Sequence, residues 1–254
     1  MHFTTGAALM VAGVAGGLIN ALAGGATLIT FPAMLAAGLP AIAANASNAV
    51  AISPGHLIAA LADRAKLPVL TSRAVSFVAV AVLGGATGAI VLSLLPERLF
   101  TLPVPALIAL STLLFAFAPQ IQASTVRHYS TGSSVPGGLS AAFIGTACIY
   151  GGFFGAGLGV ILTAVLSITE PNDVRAIKAL KNLLATCVAF AATVIFIVQG
   201  AVRWPETTVM LFGAMIGGYG GGYLIRVLPA NYVRRFVIVA GAAMTVIYAR
   251  RYWL

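Results

Sequence analysis

One pattern of residues occurs twice in this chain, 133 positions apart. Gly84, Gly85, Gly88, Leu95 and Pro96 recur in register as Gly217, Gly218, Gly221, Leu228 and Pro229. The same shift carries Gly24 onto Gly157, Ala43 onto Ala176, Ala46 onto Ala179 and Ala59 onto Ala192, without a gap. A duplicated apolar unit interrupted by glycine is a common way to build a two-repeat membrane fold, with a ligand held where the copies meet. The chain is therefore expected to fold as two copies of one unit.

The copies cannot be soluble. Charged residues make up 7% of the chain and hydrophobic ones 60%, with a mean hydropathy of +1.04. A water-facing surface needs about 25% charged residues. Long apolar runs with so few charges belong in lipid. The net charge of +9 arises from 14 Lys and Arg against 5 Asp and Glu. Most basic residues lie between apolar runs, where they orient the chain across a membrane. No basic face interleaved with aromatics exists, so nucleic acid is excluded as a partner. Cys148 and Cys187 lie inside apolar runs and read as packing residues, not as a disulfide framework. Ala21-Leu22-Ala23 has the small residues of a cleavage site, but only His2 precedes it where a signal needs Lys or Arg, so the segment is expected to be retained.

Eight apolar stretches run at about 5–37, 41–62, 74–95, 102–119, 138–168, 174–199, 207–228 and 236–249. Trp204, Tyr232, Tyr252 and Trp253 fall at run ends, where aromatic rings favour the headgroup layer. These boundaries divide the chain into a first repeat over 1–119, a polar connector over 120–137 and a second repeat over 138–254. The first and fifth stretches exceed thirty residues, whereas about 20 span the hydrocarbon. Glycine interrupts both, at Gly24-Gly25 and at Gly151-Gly152 through Gly155, Gly157 and Gly159. Each is expected to be two half-helices, since irregular backbone at membrane depth survives only inside protein or beside a wet cavity. Leaving out Lys178 and Lys181, which are placed within a helix, basic residues divide seven to five between the two faces if both stretches cross once. If both double back, the division is eight to four. The richer face then holds Arg64, Lys66, Arg73, Arg127, Arg175, Arg226, Arg234 and Arg235 and is cytoplasmic, which leaves the termini outside and the repeats inverted. The expected fold is an all-α polytopic membrane protein of two inverted repeats. Each repeat has a broken first segment, half-helical or re-entrant, plus three transmembrane helices.

Chemistry concentrates just after each break. Asn45 and Asn48 are three residues apart, on one face of a helix, with Ser47 nearby. Polar side chains in an apolar run mark a pathway or serve as interhelical glue. In the second copy, Lys178 falls on Asn45 and Lys181 on Asn48, followed by Asn182. Lys181 is expected about 12–15 Å into its helix, near the midplane, where an ammonium needs an anion or water. Lys178 is shallower and is expected to snorkel. Helix amino termini at Gly25 and Gly157 would add free N–H groups and positive dipole ends. Together these groups suit a small anion, and the near absence of acidic residues from the runs disfavours a cation site. Tyr150 beside the second break either lines the cavity or packs in the core. His56 either relays protons or is a packing residue. Gly155 to Gly159 imitates a nucleotide-binding loop but lacks the strand–turn–helix setting. Gly213, Gly217 and Gly221, four apart, read as close helix packing. No Ser/His/Asp set, paired carboxylates or metal-ligand cluster is present, so no enzyme chemistry, cofactor or metal is expected.

These residues resemble the sulfite exporter TauE/SafE-type permeases over nearly the whole chain. The resemblance rests on Gly17 to Gly25, Leu28 to Ala33, Ala44 to Ala51 with Pro54-Gly55, Tyr150 to Gly157, Ala179 to Ala185 and Gly200 to Trp204. It implies a bacterial inner-membrane, multi-pass carrier of sulfite, organosulfonates or similar sulfur-containing anions. Two positions depart from the family pattern: Ala26 and Thr27 replace a continued glycine run, and Ser47 stands where threonine is usual. The expected substrate contacts are Asn45, Ser47, Asn48, Lys181, Asn182, Gly24, Gly25, Tyr150, Gly155 and Gly157. A secondary transporter working by alternating access is the favoured reading. An anion channel, or a membrane enzyme or sensor using the same pocket, is the alternative. The partners would be a small anion and the bilayer, and a homodimer is compatible with this reading.

Overall fold

The structure, a computed structural model, describes residues 2–23, 25–67, 72–128, 137–169, 174–224 and 230–254. Among these residues all regular structure is helical. The helices are α1 (Phe3–Ala23), α2 (Thr27–Ala36), α3 (Ala41–Asp63), α4 (Ser72–Leu94), α5 (Glu97–Thr101), α6 (Val104–His128), α7 (Gly137–Phe153), α8 (Leu158–Thr169), α9 (Val174–Val198), α10 (Trp204–Leu224) and α11 (Ala230–Trp253). Among the described residues five helical stretches are long and apolar enough to cross a membrane: Phe3–Asn20, Ser72–Leu94, Glu97–Ile121 (through α5 into α6), Arg175–Val198 and Asn231–Trp253. The chain is a multi-pass membrane protein. Apolar side chains such as Val11, Leu83, Phe190, Val198 and Val239 point outward, as lipid permits and water would not.

Both long stretches are broken where glycine interrupts them. α1 gives way to α2 around Gly25, and α7 to α8 across residues 154–157. At the first break the chain doubles back: a Cβ on Gly16 would lie 2.3 Å from Thr30 Cγ2, so α2 lies alongside α1. At the second, Ile144, Ala147 and Cys148 of α7 pack in one cluster with Leu158, Leu162 and Leu166 of α8. Gly155 and Gly157 adopt φ of +79° and +81°, a region that costs other residues about 1–2 kcal/mol. Gly24 lies outside the described residues. So do residues 129–136 of the connector, the helix-start residues Pro171, Asn172 and Asp173, and the repeated pair Leu228-Pro229.

Two elements differ from expectation. α6 continues to His128, so the first part of the polar connector is helical; Gln120 and Gln122 favour helix, and glycine first appears at Gly132. The break at Pro96-Glu97-Arg98 forms the short α5, whose Glu97 carboxylate accepts from the backbone N–H groups of Ala41 and Ile42 and so caps α3 from another element.

The repeated glycines are explained by close helix contacts. α1 packs along α10, and α7 packs along α4. A Cβ on Gly217 would meet Val14 O at 1.9 Å, and one on Gly88 would meet Ile149 O at 2.0 Å. Only glycine lets these backbones touch, and in lipid such contact is a main source of helix association. The remaining pairs are reciprocal as well: α3 with α10 and α4 with α9, α2 with α3 and α8 with α9. α3 and α9 pack directly against each other, as do α6 and α11. Pro54 interrupts the ladder of α3, and Ser53 Oγ donates to the Val50 carbonyl that proline leaves without its N–H, at 2.9 Å.

Candidate functional site

A cavity of about 40 Å³ lies where α3 and α9 pack against each other. That is room for a few waters or a small polyatomic ion. α3 supplies Asn45, Asn48, Ala49, Ile52 and His56; α9 supplies Ala185, Val188, Ala189 and Ala192. Both breaks reach it: Thr27, the first residue of α2, and Gly151, Gly152, Phe154, Gly155 and Leu158 around the second break. Rings from the two breaks meet beside it, Phe31 edge-on to Phe154 at 5.3 Å.

Asn45 and Asn48 lie on the same helical face and are both buried. Asn45 Nδ2 donates to Phe153 O at 3.0 Å, satisfying a carbonyl at the end of α7 and tying α3 to α7. Asn48 Nδ2 reaches Thr27 Oγ1 at 3.5 Å. Ser47 is buried but faces α10, where its hydroxyl accepts from the Arg203 backbone N–H at 2.9 Å. It does not line the cavity, because a helix turns about 100° per residue and only positions three or four apart share a face.

The second break is clamped from outside the cavity. The Tyr150 hydroxyl donates to Ala156 O at 2.7 Å, and Ser111 Oγ of α6 lies 3.1 Å from both of those oxygens. Tyr150 is thus a brace for the break, and it does not line the cavity. Gly157 packs on α6 beside Leu114, and Gly25 against the Phe115 ring, so neither opens to the cavity. Free amides at these helix starts are fewer than expected. Leu28, Ile29, Leu158 and Val160 all donate to turn carbonyls, because the breaks tighten into short turns that enter the next helix at once.

Lys181 is the eighth residue of α9, about 10 Å along it. It is half-buried and lies over Gly159, with Nζ 3.9 Å from where a Cβ would stand. One turn further on, Ala185 lines the cavity. His56 and Asp63 lie within its electrostatic reach. Asn182 faces away from the cavity and donates to Asp63 Oδ2 at 2.8 Å. Lys178 is exposed and pairs with the same carboxylate at 3.6 Å, closing one end of the α3–α9 seam. Of the expected contacts, Asn45, Asn48 and Gly155 line the cavity. Ser47, Tyr150, Lys181, Asn182, Gly25 and Gly157 surround it without lining it, and Gly24 is outside the described residues. Thr27 and the alanine face of α9 were not anticipated. The signal was available in the spacing of Ala185, Val188, Ala189 and Ala192 on one helical face.

Residues 9–248 match the family described as sulfite exporter TauE/SafE. The chain belongs to that family. Its relatives include a probable membrane transporter protein of Haemophilus influenzae, 29% identical over 244 residues, covering 94% of this chain and 92% of the relative. Probable membrane transporter protein YfcA of Escherichia coli K12 is 28% identical over 235 residues, 90% and 84% of the two chains. Probable membrane transporter protein ORF9 of a Sinorhizobium species is 23% identical over 241 residues, 94% and 90%. No solved structure matches. A TauE/SafE chain with these relatives is a membrane transporter, and its cavity is the candidate place of transport.

Proposed function

We infer that this TauE/SafE protein is a secondary transporter of small anions, of the size of sulfite or a short sulfonate, in a bacterial inner membrane. The observation that carries this reading is the cavity between α3 and α9, bounded by both helix breaks and holding Asn45 and Asn48. No Asp or Glu lines it among the described residues, while Lys181 lies one turn away on α9. A lining without carboxylates, with an ammonium nearby, favours an anion over a cation. The reciprocal contacts of α1 with α10 and of α7 with α4 support two repeats of opposite orientation, and the doubling-back of α2 supports the eight-to-four division of basic residues. Alternating access would then rock the repeats about the α3–α9 seam.

Uptake of sulfite into proteoliposomes containing the purified protein tests this reading. Lys181→Ala is expected to lower saturable uptake at least about tenfold, a loss of about 1.4 kcal/mol, with folding unchanged by gel filtration. Undiminished uptake by a folded variant would remove the anion-attracting role. Uptake that never saturates would favour a channel.

A further inference from the structure

Two buried acceptors on the cavity wall have nothing to accept. Asn45 and Asn48 are 2% and 1% exposed, and the Oδ1 atom of each meets no donor. Buried polar atoms without partners are rare and costly, so two on one cavity wall mark what the cavity is built to receive. One of the two N–H groups of each amide is engaged, Asn45 on Phe153 O and Asn48 on Thr27 Oγ1. Turning the Asn45 amide over would set its oxygen against the Phe153 carbonyl oxygen, so its acceptor is fixed. Asn48 meets a hydroxyl, which can donate or accept, so that amide can present either atom.

A fully deprotonated oxyanion offers only acceptors and would oppose Asn45 Oδ1. We propose, building on the anion-site reading above, that the cavity takes an oxyanion that retains one acidic O–H. The O–H donates to Asn45 Oδ1, and the charged oxygens turn to the adaptable Asn48 amide and to His56. Each anion then crosses together with its proton, so flux moves both in fixed ratio. Of the charged groups on the elements packed against α3, Lys181 on α9 lies near His56, and Arg64 and Lys66 stand in the short helical turn that follows α3. Lys178 on α9 and Asp63 on α3 engage each other, and Arg175 stands at the exposed start of α9. Glu97 on α5 caps α3, with Arg98 beside it, and α10 carries Glu206 and Tyr219. The described parts of α1 and α2 carry no charged side chain.

The test is equilibrium binding to the purified full chain with four probes at mildly acidic pH. Hydrogen sulfite and dihydrogen phosphate carry an O–H; sulfate and methanesulfonate carry none. The O–H-bearing pair is expected to bind at least about tenfold more tightly, a difference of about 1.4 kcal/mol. For hydrogen sulfite the tighter binding should fade as pH rises and its O–H is lost, and should do so equally in His56→Gln, which separates ligand protonation from histidine titration. Asn45→Leu is expected to erase the preference; if it fails to fold, the wild-type ranking decides alone. Equal or tighter binding of sulfate or methanesulfonate overturns the proton requirement and leaves the anion site standing. A preference untouched in folded Asn45→Leu overturns the assignment to Asn45. Failure of all four probes, or binding of methylammonium in their place, overturns the anion reading as well.

Discussion

Side chains that hold the helix breaks are distinct from side chains that face the cavity, and substitutions should separate them. Tyr150 braces the second break through Ala156 O. Tyr150→Phe should cost about 1 kcal/mol of stability, with hydrogen sulfite affinity changed less than about twofold; thermal unfolding in detergent and a binding titration check both. At the seam, Lys178 is 65% exposed, so Lys178→Ala should cost under about 1 kcal/mol. Asp63→Ala should cost more, about 1–3 kcal/mol, because it also leaves the buried Asn182 amide with only the long 3.5 Å bond to Ala59 O. Equal melting shifts for the two variants would contradict that ordering. At this scale the sequence reading placed Asn45 and Asn48 on one helical face, and both line the cavity, because three-residue spacing survives into any helix. It grouped Ser47 with them, although two residues of helical rotation turn that hydroxyl toward α10.

Among the elements, the glycine pairs decide whether helices can meet. Gly88→Ala places a methyl within 2.0 Å of Ile149 O, backbone that cannot yield cheaply. It is expected to cost at least about 1–3 kcal/mol and to lower the yield of monodisperse protein. Gly220→Ala meets nothing within 4 Å and should be neutral or slightly stabilising, since alanine favours helix by about 1 kcal/mol. Equal yields from the two variants would refute the packing role of Gly88. The positions of the breaks were legible because glycine clusters inside runs too long for one crossing signal irregular backbone. The closing of the breaks into short turns was not. It depends on carbonyls within the turns and on Ser111 and Tyr150, which come together only once α6 packs beside α8.

For the whole molecule, the reciprocal packing of the two halves predicts a topology that labelling can read. In a background lacking Cys148 and Cys187, Arg64→Cys and Arg175→Cys should react with an impermeant thiol reagent only from the cytoplasmic face. Phe3→Cys and Leu254→Cys should react only from the other. Labelling of positions 64 and 175 from opposite faces would contradict inverted repeats, since Lys178 pairs with Asp63 at one end of the seam. The membrane class and the two broken segments were determined by the amino-acid sequence alone. Composition, periodicity and glycine clustering are local properties, and the bilayer acts on them directly. Which polar groups share a cavity was decided only by the tertiary structure. The Asn45–Phe153 bond joins residues 108 positions apart, brought together by the meeting of α3 with the end of α7, and no local spacing encodes that meeting.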